Sequence, residues 1–459
     1  MFTIETYIKR RETLKSSIKS GLLLFLGNDE SPMNYADNTY HFRQDSTFLY
    51  YFGFERNSGM FAFIDIDNNR EVIVGDELSI DYIVWMGLLP TIKDQADRVG
   101  VRETMTTADF FSYIEKEKAK GRTIHYLPSY RPEHQIKLQQ LLGIPPVEQS
   151  KHQSLELVRT VVEQRLRKSD AEIAEIDKAV TITNEMHIAA MDVARVGMKE
   201  YEVAAAVQST ALKYGCQLSF PIICTTHGET LHNHFHGNTI RKGDMLLIDA
   251  GAELPNGYCG DLTTTFPVSG QFDSRQKAVF DIVMQAHNEA VAMLKPNVPF
   301  RVIYYRAAEV IVEGMKSQGL MKGNASDAVQ QGAHAMFFQC GLGHAMGLDV
   351  HDMENLGEVW VGYNGEPKST QFGIKSLRFA RPLEERFVMT VEPGVYMIPT
   401  LIDMWKAEKR YADFINYDKL ENWKDFGGIR FEEDFLITST GYRLLGENNE
   451  ARKNRMKNY

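Results

Sequence analysis

Short apolar runs alternate with long amphipathic stretches along the chain. GLLLFLG (21–27), FLYYFGF (48–54), MFAFIDID (60–67) and EVIVGD (71–76) are rich in aromatic and branched residues, and their length predicts strands. Residues 131–143 read as a helix that Gly143-Ile144-Pro145-Pro146 ends in a turn. Ser169-Asp170-Ala171-Glu172 is a capping-box sequence. After it Ile173, Ile176, Val180, Thr183, His187 and Ala190 recur at helical spacing, with Gly197 expected to stop the helix. A second helix is expected at 199–214, then strands at SFPIICTT (219–226), MLLIDAG (245–251) and LTTTFPV (262–268). Helices at 274–295 and 300–318 precede strands at FVMTVEPG (387–394) and GGIRFEEDFLIT (427–438). Strands and helices come in blocks and not as a regular βαβ series, which predicts an α+β fold. A polar stretch near 150–168 divides the chain into a mixed α/β domain over 1–155 and a second domain over 156–459.

Composition narrows the function classes. The 459 residues are 43% hydrophobic and 24% charged, as expected of a globular protein, and no low-complexity tract or short-period repeat interrupts them. A net charge of −10 argues against nucleic acid as the main partner. Cys216, Cys224, Cys259 and Cys340 form neither a disulfide framework nor a zinc-ribbon spacing, so a reducing compartment is expected. The first apolar run, Leu22 to Leu26, is too short for a signal or membrane segment, and no later stretch approaches about 20 apolar residues. The expectation is a cytoplasmic protein with no membrane partner.

The chemistry is carried by acids at the ends of apolar strands. Asp249 ends Met245-Leu246-Leu247-Ile248, and Asp261 stands twelve positions later, beyond the turn sequence Leu254-Pro255-Asn256-Gly257. A hairpin centred on Pro255 would set the two carboxylates directly opposite each other. They would then repel unless a cation lay between them or one were protonated; otherwise each acid simply caps a turn. Glu392 follows the run 387–391, and Glu432 and Glu433 lie in GGIRFEED. Burying such an acid unpaired costs several kcal/mol, so it is more often a ligand or a paired group. Histidines cluster at His227, His232, His234 and His236, and at His334, His344 and His351; His227, His236 and His334 receive no role. Asp249, Asp261, His344, Glu392 and Glu432 together would suit two divalent ions about 3.5–4 Å apart. Hard oxygen donors without a thiolate favour Mn²⁺, with Zn²⁺ or Co²⁺ also admissible.

The strings LLIDAGAE, GDLTTTFPVSGQF, GLGHAMGLDVHD, TVEPGVYM and GGIRFEED resemble, in this order, the pita-bread metallopeptidases. Within them the similarity is to the Xaa-Pro aminopeptidases (aminopeptidase P) and prolidases. HFRQDSTFLYYFGF (41–54) resembles the N-terminal, creatinase-like domain of that family, and VGMKEYE (196–202) the entry to its catalytic domain. The resemblance implies that Asp249 and Asp261 hold one ion, that His344 and Glu392 complete the second site, and that Asp261 and Glu432 bridge the two. It implies that His232 handles protons, that His351 contacts the scissile carbonyl region, and that Arg430 orients the acids beside the proline pocket. Hydrolysis of the bond preceding proline would follow, with Glu392 as general base. The expected substrates are peptides with proline at the second position, and the expected assembly is a dimer or tetramer.

One departure from the family is Cys340, four residues before His344, where many relatives carry His. The Asp249-to-Asp261 spacing is also one residue longer than expected. Two readings of substrate length stay open. An aminopeptidase accepts further chain after Xaa-Pro, whereas a dipeptidase reads its free carboxylate with a cation. Lys406, Lys409, Arg410, Lys419 and Lys424 of segment 398–427 could supply that cation, or the segment could be a solvated insertion. A binding module or metal-free amidinohydrolase on the same fold is the rival from another class, and the complete ligand set speaks against it.

Overall fold

The computed structural model describes residues 2–457, and the chain divides into two compact units. The first runs through Arg165 and also takes in Met353–Trp360; the second comprises Leu166–Asp352 and Val361–Tyr459. Among the described residues, no helix is long and apolar enough to cross a membrane.

The first unit is built on a five-stranded mixed sheet in the order Glu103–Met105, Arg70–Val74, Phe61–Asp65, Leu22–Leu26, Ile124–His125. Leu22, Leu24, Phe61, Phe63, Val72 and Val74 pack on Phe110 and Ile114 of helix Thr107–Ala119 and on Leu138 and Leu141 of helix Pro132–Leu142. The run 48–54 is not a strand: Ser46–Phe52 is helical. Asp45 caps it by accepting from the Phe48 amide, and all seven of its residues are buried. Burial on every side removes the polar face that marks an amphipathic helix, so an apolar run of this length reads equally as strand. The late segment Met353–Trp360 belongs here too, with the Arg159 guanidinium 4.7 Å above the Trp360 ring.

In the second unit, Ser169 and Glu172 form the capping box that opens helix Asp170–Val193. This helix pairs with Glu200–Lys213 and backs a three-stranded sheet, Leu262–Pro267, Met245–Ala250, Ile223–Thr225. Helices Ser274–Ala292 and Phe300–Ser317 form a second pair. Ser274–Ala292 lies against Val388–Val391, the ribbon strand Gly394–Tyr396 and its partner Gly428–Arg430. The expected single strand over 427–438 is two, Gly428–Arg430 and Glu433–Ile437, with Phe431 and Glu432 between them. There the Glu432 amide leaves its own sheet and donates to the Thr263 carbonyl at 3.1 Å, which joins the two halves of the unit. The helix that Gly197 was expected to stop ends earlier, at Val193.

Candidate active site

The acids meet where the strands of the second unit converge. Asp249 is not opposite Asp261: its antiparallel partner is Thr263, and Ala250 faces Leu262. Asp261 is thus a diagonal neighbour on the same face of the ribbon, two residues before Thr263. The backbones close in beyond the ladder, where a Cβ on Gly251 would sit 1.8 Å from the Gly260 carbonyl oxygen. Only glycine permits that approach, and it brings Asp261 under the strand end.

Arg430 fixes one side of the site. Its guanidinium donates to Asp249 Oδ2, to Thr263 Oγ1 at 3.0 Å and to the Tyr396 hydroxyl at 3.0 Å. Thr263 in turn donates to Glu432 Oε2 at 2.7 Å. The Asp261 amide donates to Asp434 Oδ2 at 3.1 Å. Opposite, the His344 Nδ1–H donates to the Ala345 carbonyl at 3.1 Å, leaving Nε2 as the lone-pair nitrogen. That nitrogen lies 3.3 Å from Asp261 Oδ2 and 3.7 Å from Glu392 Oε1. A lone pair facing two carboxylate oxygens is repulsive unless a cation or a proton stands among them.

All eight residues singled out from the sequence line one cavity of about 210 Å³: Asp249, Asp261, Glu392, Glu432, His232, His344, His351 and Arg430. Burial and mutual repulsion shift the acids of the cavity. Burial and the Asp249 charge push the Asp261 carboxyl well above the ordinary range. Burial, Asp261 and Glu392 do the same to Glu432. Glu392 is pushed up to about 7, mainly by burial, against the opposing pull of His344 and Arg430. Burial and Arg430 hold His232 below the usual imidazole value, so it is neutral near pH 7. Asp249 Oδ1 and Asp261 Oδ1 are buried without a hydrogen-bond partner among the described residues. Asp261, His344 and Glu432 each offer an atom within 4.8 Å of the others. A donor set of this kind fits divalent cations.

Three contributors escaped the sequence reading. Arg378 lines the cavity and lowers Asp261 and Glu392; its string GIKSLRFARPLEERFVMTVEPG resembles the prolidase branch, but the residue itself was given no role. Tyr396 and Asp434 hold Arg430 and Asp261, and both sit in strings that were singled out for neighbouring residues. The cations of 398–427 do not line the cavity: Lys406 pairs with Glu421, Lys424 with Asp403 and Glu421, and Arg410 stacks on Trp405. Cys340 does line it, its thiol 3.8 Å from the Tyr396 hydroxyl and pushed up to about 12 by burial and the neighbouring Glu392.

Residues 174–439 match metallopeptidase family M24, and residues 7–125 match the aminopeptidase P N-terminal domain. The chain is 29% identical to the Xaa-Pro dipeptidase of Homo sapiens over 440 residues, 94% of this chain and 87% of that one. It is 28% identical over 421 residues to a probable Xaa-Pro aminopeptidase of Ajellomyces dermatitidis, 89% and 86% of the two chains. Aminopeptidase P of Escherichia coli, solved with the inhibitor Pro-Leu, superposes with a TM-score of 0.79 at 26% identity, covering 99% of this chain and 98% of that one. A zinc-substituted form of the same enzyme in complex with product matches equally.

Proposed function

Because this chain belongs to metallopeptidase family M24, we propose that it is a dinuclear-metal exopeptidase that hydrolyses the Xaa-Pro bond at peptide N-termini. The observation that carries this is the convergence of four carboxylates and one lone-pair imidazole on a single small cavity, with two buried carboxylate oxygens unpartnered among the described residues. Asp249 and Asp261 would hold one ion and His344 and Glu392 the other, with Asp261 and Glu432 between them. Mn²⁺ is the ion the oxygen-rich set favours, with Zn²⁺ or Co²⁺ able to replace it. Bound there, such ions supply Lewis acidity toward the scissile carbonyl and toward water.

The chain's own groups do the rest. Arg430 holds Asp249 Oδ2 by a hydrogen bond, and Thr263 and Tyr396 keep Arg430 in place. Glu392, a cavity-lining carboxylate 3.7 Å from His344 Nε2, would take a proton from the attacking water. His232 and His351 present N–H donors to the developing oxyanion, and the proton that Glu392 takes from water passes to the leaving nitrogen. Proline's amide nitrogen carries no hydrogen. The bond therefore falls to a site that works from the carbonyl side.

Arg378 favours a second reading, cleavage of the free dipeptide. Arg378 is a cation lining the cavity and would meet the carboxylate of Xaa-Pro. The test is hydrolysis of Ala-Pro and Ala-Pro-Ala-Ala by protein reloaded with Mn²⁺. Release of alanine from the tetrapeptide supports the aminopeptidase, and cleavage of Ala-Pro alone supports the dipeptidase. In the second case Arg378→Ala raises KM for Ala-Pro about 10- to 100-fold, the value of a charged hydrogen bond. Unchanged KM would remove Arg378 from that role. A homo-oligomer and a cytoplasmic setting complete the proposal; exposed Trp85, Val84 and Leu88 of the first unit are apolar surface that a second copy would cover, which sedimentation checks.

A further inference from the structure

Between Gly341 and Asp352 the chain makes no helix and a single isolated bridge, Ala345 to Met389. This irregular loop nevertheless places two imidazoles in contact, His344 and His351, with ring centroids 4.3 Å apart at 73°. The Gly347 amide donates to Asp349 O at 3.0 Å, the Asp352 amide to Ala345 O at 2.9 Å, and the Asp349 amide to Asp352 Oδ1 at 3.4 Å. The Cys259 amide donates to Gly347 O at 2.9 Å.

Beneath the loop lies an ion pair withdrawn from water. Lys168 Nζ stands 2.7 Å from Asp352 Oδ2, and each side chain is 1% exposed. The loop backbone rests on the pair so closely that a Cβ on Gly347 would lie 2.7 Å from Asp352 Oδ2 and 2.8 Å from Lys168 Cε. Lys168 is anchored through its backbone: its amide donates to Arg386 O at 3.0 Å, and Arg386 Nε donates to its carbonyl. Arg386 introduces the strand Val388–Val391 that ends at Glu392. The residue after Asp352, Met353, is buried and holds a φ of 62°, a conformation a side chain of its size seldom adopts.

A buried ion pair is a poor source of stability, since apolar side chains of equal volume serve as well or better. What it supplies is a fixed geometry. We propose that Lys168 and Asp352 are positioning residues that pin loop 344–352 to the chain leading into Glu392 and thereby hold the His351 imidazole at the cavity. This rests on the role given to His351 in the proposed function. Neither residue touches the cavity; both act through the loop.

The test uses the metal-loaded protein and the variant K168M/D352N, which removes both charges and strands neither. Turnover of the better of the two peptides falls about 10- to 100-fold in kcat with KM little changed. In a His351→Ala background the same change costs nothing further. In ¹³Cε1-histidine spectra the His351 signal, identified by its loss in His351→Ala, shifts or broadens, while the signals of His125 and His134 stay in place. An equal loss of kcat in the His351→Ala background, or an unmoved His351 signal, overturns the proposal. Should K168M/D352N not fold, Gly347→Ala, which drives a methyl onto the pair and keeps both charges, is expected to move the same signal, and its failure to do so is equally decisive. Failure of the wild-type protein to cleave either peptide defeats the functional reading, and the spectra alone then decide the pair.

Discussion

Asp65 closes the apolar strand Phe61–Asp65 in one unit, and Asp261 opens the apolar strand Leu262–Pro267 in the other. Both carboxylates are buried, at 0% and 4% exposure. Burial pushes each carboxyl upward, but the neighbours differ. Asp65 accepts from Arg122, from Asn68 twice and from the Tyr113 hydroxyl, and these bonds outweigh burial and hold it well below the ordinary carboxylate range. Asp261 has Asp249 and Glu432 beside it, and its carboxyl is driven up. A buried acid at a strand end is therefore no mark of a site. A buried acid surrounded by other acids is one, because only a cation or a proton makes the arrangement tolerable.

The comparison breaks most visibly at the ligands. His344→Ala and Glu432→Gln should each lower kcat/KM by about 10³-fold or more, with the metal content of the purified protein dropping below that of the wild type. Elemental analysis alongside the assay checks both, and full activity in either variant would end the dinuclear assignment. Asp65→Asn should do the reverse. It leaves kcat/KM and metal content untouched but costs about 3 kcal/mol of stability, as loss of one partner in a buried ionic network does. The cost falls at the lower end because Arg122 keeps Asp67 and Glu117. Denaturant unfolding measures it.

The same contrast explains what was legible in the sequence. The acids and histidines of the site stand in short strings whose residue types cannot be exchanged without losing the donor atoms, so they could be found without a fold. Their geometry could not. The opposition expected of Asp249 and Asp261 fails by two residues because Gly251 and Gly260 let the backbones close in beyond the ladder, a contact no periodicity announces. Arg378 was given no role because its place at the cavity depends on where a loop passes, which residue spacing does not reveal. The helix Ser46–Phe52 was read as a strand because complete burial erases the alternation that separates the two. Met353–Trp360 joins a unit whose other residues all precede position 166, a feature of topology alone.

The finest discrimination comes from pH, because the two kinds of acid move stability in opposite directions. In metal-free protein the Glu392 carboxyl, ordinarily near 4.5, is pushed up to about 7. The native state then binds the proton more tightly than the unfolded chain, so this contribution is fully present below pH 4.5 and is lost as pH rises through 7. Asp65 is held low, so its contribution is present above the ordinary 3.8 and fades only as pH falls below it. Between about pH 5.5 and 8 Asp65 is silent. The buried His187, His287 and His334, held low, add stability as pH rises through the lower part of that window, so the Glu392 contribution, about 2 kcal/mol, is read as a difference from Glu392→Gln. Calorimetry of the metal-stripped protein should show the melting temperature of the wild type falling relative to that of Glu392→Gln from the lower pH to the higher. Mn²⁺ added at the higher pH should restore the lost stability by binding the native state alone. A slope that survives Glu392→Gln unchanged would place its origin outside that carboxyl.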